Sequence, residues 1–189
     1  MTRVNYAKQA LMYMIHHKMY GTIYSKNTDA HGPFVISAFA DGSLMNESKS
    51  RSRVARLVKM AGASVAAKTN KTTTVHLSSA SVETEAACHA ALDVVGIRHL
   101  LEEIGIWYNK PVVIYEDNQP TIQVANNERS LADAGRHLET RNYKLSELVE
   151  NESVILTYMS TERQVADLLT KSLAKIAFER LRDDLTGYS

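Results

Sequence analysis

Asp41, Glu83, Asp117 and Asp167 stand in four separate segments, each where a strand should end or a helix begin. The segments read Phe39-Ala40-Asp41-Gly42-Ser43, Leu77-Ser78-Ser79-Ala80-Ser81-Val82-Glu83, Ile114-Tyr115-Glu116-Asp117-Asn118-Gln119 and Ala166-Asp167-Leu168-Leu169-Thr170-Lys171. Carboxylates delivered by separate elements in the order Asp, Glu, Asp, Asp suit two divalent metal ions acting on a phosphodiester. Such ions, ~3.5–4 Å apart, clamp the attacking water and the leaving oxygen, and clustered carboxylates offset their charge.

The four acids differ in how strongly the residues themselves argue for them. Asp117 closes the apolar run 112–115 and precedes a helical stretch, and ligand sites in open α/β sheets gather at the carboxyl ends of strands. The alternative for Asp117 is a helix cap. Glu116, next to it, should point to the opposite strand face and is the weaker candidate. Glu83 competes with Glu85. Helical steps from Glu83 land on Ala87, Ala90, Val94, Ile97 and Leu101, an apolar stripe, whereas steps from Glu85 land on His89, Asp93 and Gly96, a polar face. A carboxylate on the buried stripe is expensive unless a partner such as a metal offsets it, which favours Glu83. For Asp41 the competing reading is a type I′ hairpin turn at Asp41-Gly42. Asp167 lies off any apolar stripe, so spacing alone makes it a surface acid.

The elements that must position these acids follow from periodicity. Residues 3–19 carry apolar positions at helical spacing, and 22–25 form a short extended piece. Strands are expected at 34–40, at 54–60 and within 63–77. A long helix over 81–104 should end at Gly105. The run 112–115 suits a strand buried on both faces. Helices are expected at 119–127, 132–150, 161–173 and 175–185, with a strand at 154–158. Strands first, then helices alternating with single strands, predict an α/β fold with a mixed sheet covered by helices.

The four acidic segments resemble, in order and nearly without gaps, the ribonuclease H region of copia-type retrotransposon polyproteins. The family stretches read roughly Tyr-Ser-Asp-Ala-Asp, Leu-Ser-Ser-Thr-Glu-Ala-Glu-Tyr, Ile-Tyr-Cys-Asp-Asn-Gln and Ala-Asp-Ile-Leu-Thr-Lys-Pro-Leu. The alignment selects Glu83 and brings in Asp167. It departs from the family at Ser81, Thr84 and Ser172, and around Asp41, where Ala-Asp-Gly-Ser is closer to cellular ribonucleases H. The segment 44–48 lacks the family's Trp-Ala-Gly-Asp. At the start, Ala7-Lys8-Gln9-Ala10-Leu11-Met12-Tyr13-Met14 and Tyr20-Gly21-Thr22-Ile23-Tyr24-Ser25 resemble the last helix of the family's reverse transcriptase and the stretch after it. The resemblance implies residues 1–30 as the end of a reverse transcriptase region and 31–189 as a ribonuclease H domain with a five-stranded mixed sheet. It further implies a metal-dependent endonuclease that cuts the RNA strand of RNA–DNA hybrids. Asp41, Glu83, Asp117 and Asp167 would hold two Mg2+ ions, for which Mn2+ can substitute. The alternative is an inactive or domesticated binding module of the same fold. The implied partners are the hybrid and the reverse transcriptase domain of the same polyprotein. The implied location is the cytoplasm, within virus-like particles, with the nucleus as the alternative.

Composition sets the bounds. The chain has 189 residues, 44% of them apolar, and a net charge of +1, enough for one ordinary domain and neutral about nucleic acid. The lone cysteine, Cys88, points to a reducing compartment. No apolar run approaches a membrane span, so no membrane partner is expected. Between Lys49 and Lys71 stand Arg51, Arg53, Arg56, Lys59 and Lys68 with no acid, a basic hairpin suited to tracking phosphates or simply a solvated face. Within it Ser50, Arg51 and Arg53 are candidate nucleic-acid contacts, as are Asn118 and Gln119 beside Asp117. His137, in an Arg-His-Leu-Glu element that resembles the family's Lys-His-Ile-Asp, is a further candidate nucleic-acid contact, with a structural or surface role as the alternative. His16-His17 has no zinc-spaced partner, and Ser78-Ser79 has no base motif.

Overall fold

In the computed structural model, residues 3–25, 35–47, 51–73, 75–126 and 140–188 are described. In chain order they form α1 (Arg3–His16), β1 (Ile36–Glu47), β2 (Arg51–Met60), β3 (Ala63–Lys71), α2 (Ser79–Glu103), β4 (Val112–Glu116), α3 (Gln119–Asn126), α4 (Thr140–Glu150), β5 (Val154–Tyr158), two 3-10 turns at Thr161–Arg163 and Val165–Leu169, and α5 (Lys175–Thr186).

The first three strands make an antiparallel meander. Met60 pairs with Ala63, leaving Ala61 and Gly62 as a two-residue turn with φ of 53° and 83°. Positive φ at both central positions marks the primed turn that matches strand twist. That turn therefore falls between β2 and β3 and not at Asp41-Gly42. There, β1 runs on because β2 pairs with it through Ser43, Asp41 opposite Ala55 and Gly42 opposite Val54, and after a register shift again at Glu47. The strand expected over 34–40 is accordingly longer at its carboxyl end.

After the meander, α2 carries the chain back so that β4 pairs parallel with β1, and β5 then pairs parallel with β4. The order β3-β2-β1-β4-β5 is the expected mixed five-stranded sheet. One face packs Ile36, Ala38, Ala40, Val112 and Ile114 against Val82, Ala86, Ala87, Ala90 and Val94 of α2, with Leu145 and Leu148 of α4 beside them. Small side chains on α2 let the helix lie close to the strands. The other face packs Phe39, Ala55 and Leu57 against Val165 and Ala166.

One expected element is absent as such. The single helix expected over 161–173 is two short 3-10 turns, because Gln164 between them spends its side chain on other elements. Its amide donates to the carbonyls of Ala40 (2.9 Å) and Tyr115 (3.2 Å), and its oxygen accepts from the Ala166 N–H. Helices over 119–127 and 175–185 match α3 and α5 to within a residue, and α2 ends as expected, with Gly105 at φ 83°. The first eight residues of the helix expected over 132–150 lie outside the described residues, and its remainder is α4.

The N-terminal segment rests on the last helix. Tyr20 donates to Asp183 (2.5 Å), Arg182 donates to the hydroxyls of Tyr13 (3.1 Å) and Tyr20 (2.7 Å), and the Ile23 N–H bonds the Thr186 carbonyl (2.8 Å).

Candidate metal centre

The β1–β4 ladder closes at Phe39 and Tyr115, and just beyond it both strands carry acids. Asp41 is fully buried, its carboxylate accepting from the Thr170 hydroxyl and from Lys171 Nζ at 3.0 Å. Gln164 spans the gap between the two strands at this end, so their carbonyls stay satisfied where the ladder stops.

Glu83 comes from the start of α2. Ser78 caps the helix by accepting the Ser81 N–H (3.2 Å). Glu83 Oε2 then accepts the Gly42 N–H at 2.5 Å. This approach requires glycine. A Cβ on residue 42 would lie 2.8 Å from the Glu83 nitrogen and from the Val82 carbonyl carbon, closer than real Cβ atoms come. The Asp-Gly pair therefore puts an acid on the strand and clears space for the helix that brings the next one.

Asp117 follows β4 directly and accepts the Thr161 hydroxyl at 2.7 Å. One oxygen each from Asp41, Glu83 and Asp117 lie within 4.8 Å of one another. Asp167 is not one of these three and is joined to Asp41 through Lys171. It is 4% exposed, not on the surface as spacing alone suggested, and shares Lys171 with Asp41 at 2.7 Å. The 3-10 turn explains the difference, since helical periodicity does not apply to it.

Two neighbouring acids behave differently from the sequence reading. Glu116 does not turn away from the site. It is fully buried on the α2 side with Val112 and Ile114, and its Oε1 accepts the N–H groups of Asp117 and Asn118, both at 3.1 Å. Its Oε2 is buried with no hydrogen-bond partner among the described residues. Alternation from Val112 and Ile114 carried the signal: β4 is covered on both faces, so the opposite face is not solvent. Glu85 is also buried, despite its polar-face register. It meets His76 Nε2 at 2.8 Å, and His76 Nδ1 lies 2.7 Å from Ser81 Oγ.

The electrostatics reflect this crowding. Burial, with Glu116, Asp41 and Asp117 adding like charge, pushes the Glu83 carboxyl up to about 10. Burial likewise raises Glu116 well above the carboxylate range, against the pull of the Asn118 N–H. Asp167 is raised to about 6 by burial, although Lys171 works against the shift. Carboxylates held this close favour protons unless a cation replaces them. An all-oxygen set with a buried, unpartnered Glu116 oxygen fits a hard divalent cation.

The basic hairpin is less open than its sequence. Arg56 pairs with Asp93 (2.8 Å), Lys68 reaches the same Asp93 (3.4 Å), and Lys59 pairs with Asp184 (2.5 Å). The acids missing from the segment arrive from α2 and α5. Arg51 bonds the Thr73 carbonyl and Arg53 the Thr69 hydroxyl (3.2 Å), both half-buried. Asn118 caps α3 by accepting the Thr121 N–H (3.1 Å), while Gln119 is exposed beside it. Ser50 and His137 lie outside the described residues.

Solved ribonuclease H domains share this fold. The LC11 RNase H1 determined with an RNA/DNA hybrid superposes with a TM-score of 0.50 at 11% identity, over 71% of this chain and 92% of that one. The N-terminal RNase H domain of a Mycobacterium tuberculosis protein gives 0.50 at 11% over 79% and 97%. The PFV RNase H domain gives 0.50 at 12% over 85% and 96%. The fold is thus that of ribonuclease H.

In sequence the chain is similar to retrotransposon polyproteins of the copia type. It is 25% identical over 150 residues to the Pol polyprotein from transposon TNT 1-94 of Nicotiana tabacum, covering 79% of this chain and 11% of that protein. It is 22% identical over 161 residues to the Ty1-LR3 Gag-Pol polyprotein of Saccharomyces cerevisiae, covering 84% and 9%. The chain therefore spans about a tenth of the length of these curated relatives. No family profile matches it.

Proposed function

We propose that the chain is the ribonuclease H of a copia-type retroelement, an endonuclease that cuts the RNA strand of RNA–DNA hybrids during reverse transcription. The observation that carries this reading is the convergence of Asp41 on β1, Glu83 on α2 and Asp117 just after β4 within 4.8 Å, beyond the last β1–β4 pair. Asp41, Glu83, Asp117 and Asp167 hold two magnesium ions, and manganese substitutes. Ions bound there supply water activation for attack on the phosphorus and charge stabilisation at the departing 3′ oxygen.

The chain's own groups prepare that chemistry. Glu116 fixes the backbone that presents Asp117, by accepting both N–H groups of the turn. Thr161 orients the Asp117 carboxylate, and the Gly42 N–H orients Glu83. Gln119, exposed next to Asp117, and Asn118 read the 2′-hydroxyls that separate RNA from DNA along the shallow minor groove. Arg51 and Arg53 hold phosphates of the hybrid. Residues 1–30 are the end of a preceding reverse transcriptase region, which works on the same hybrid inside virus-like particles.

Labelled RNA–DNA hybrid, duplex DNA and duplex RNA incubated with the chain and Mg2+ test the proposal. Cleavage confined to the hybrid, and lost in Asp117→Asn, is the expected result. Undiminished cleavage in Asp117→Asn would refute the site, and binding without cleavage would identify an inactive module.

A further inference from the structure

The acidic cluster is electrostatically lopsided. On one side, Lys171 Nζ lies 3.0 Å from Asp41 and 2.7 Å from Asp167, and Thr170 bonds the second oxygen of Asp41. Both carboxylates are buried while the lysine side chain is 34% exposed, so its stem has a route out to solvent. On the other side, no cation among the described residues pairs with Glu83, Glu116 or Asp117. Their partners among the described residues are backbone N–H groups and one hydroxyl.

An ammonium bridging two buried carboxylates stands where a cation shared by them would stand. A second positive charge cannot join it there without strong repulsion in a poorly solvated site. We propose that Lys171 is a built-in counter-cation for the Asp41–Asp167 half of the cluster, and that a divalent ion shared by those two acids enters only by displacing it. The proposal rests on the reading that this cluster holds metal. It makes occupancy stepwise: the first ion is held chiefly by Glu83 and Asp117, which no cation among the described residues pairs with, and the second waits for the lysine to leave Asp41 and Asp167. Lys171 is thereby a positioning residue, keeping Asp41 and Asp167 together until substrate and metal arrive.

Mn2+ titration of the full chain, followed by calorimetry and by paramagnetic resonance for stoichiometry, tests this in wild type and Lys171→Met. The expected result is a second ion bound roughly tenfold tighter in the variant, as removal of one partly screened like charge requires. The metal-free melting temperature should fall at the same time. Purely structural damage would weaken binding, so a second ion bound equally or less tightly in Lys171→Met overturns the proposal. A measurement on wild type alone keeps the test independent of the variant's folding. Reductive methylation read by mass spectrometry should modify Lys171 slowly without metal and faster with saturating Mg2+. Unchanged protection would overturn the displacement. If neither wild type nor variant binds a divalent ion at millimolar concentration, the metal-site reading itself fails and this proposal with it.

Discussion

Glu83 and Glu85 are two residues apart on one helix, both buried, and they face different chemistry. Glu83 stands among other acids with a backbone N–H as its partner, while Glu85 meets His76 at 2.8 Å. Glu83→Gln should lower hybrid cleavage by orders of magnitude while leaving the metal-free fold intact, since glutamine mimics the protonated acid. Glu85→Gln, expected from helical phase to be nearly neutral, should instead destabilise by about 1–3 kcal/mol, because it disturbs a buried polar contact with His76. Parallel urea melts and single-turnover assays separate the two. A dead but stable Glu85→Gln would reverse the assignment. The same acids set a pH dependence. Glu83 keeps its proton in the metal-free fold up to about 10, but releases it near its ordinary 4.5 when unfolded. Asp167, raised from 3.8 to about 6, has the same sign over a narrower window. The folded chain binds more protons than the unfolded one between those values, so these groups lower stability as pH rises. Melting in chelator should therefore show a lower midpoint at about pH 8 than at about pH 5, and saturating Mg2+ should remove the difference. A midpoint that rises with pH without metal would contradict the crowding of the cluster.

The site depends on how closely α2 comes to β1. Gly42 has no Cβ to hold the helix off, and the first turns of α2 therefore reach the part of β1 where Asp41 lies. Gly42→Ala should cost roughly 1–3 kcal/mol of stability, as overpacking does. It should weaken Mn2+ binding more than its stability loss explains, since the Glu83 carboxylate is carried by the displaced segment. Normal metal affinity in a destabilised Gly42→Ala would show that α2 can shift without moving Glu83. Elsewhere the elements follow local rules: the β4 run, the Gly105 stop and the Ala61-Gly62 turn are each readable from a few neighbouring residues. The 161–173 segment is not. Its helical composition yields to the bonds Gln164 makes to Ala40 and Tyr115, residues far away in sequence.

Across the whole molecule, charges distant in sequence cancel. Arg56, Lys59 and Lys68 belong to a stretch without acids, yet Asp93 and Asp184 meet them in the fold. Hybrid binding should thus depend on salt less steeply than the full basic run suggests. Replacing Arg51 and Arg53 together with Ala should flatten the log–log salt slope by up to ~0.9 per lost phosphate contact, uniformly across sequences. Arg56→Ala should leave the slope nearly unchanged. A slope altered by Arg56→Ala and not by the double variant would move the phosphate track to the paired cations. The sequence by itself determined the order of the strands and of most helices, the mixed sheet and the candidacy of Asp41, Glu83 and Asp117, because periodicity, turn residues and strand-end placement are local properties. Asp167 was legible only through the resemblance of its motif. Tertiary structure alone decided that Glu85 is buried against His76, that Lys171 bridges Asp41 and Asp167, and that the basic hairpin is largely paired. Each of these depends on which distant side chains share one buried volume, and burial and charge pairing are set by packing across the sheet, not by spacing along the chain.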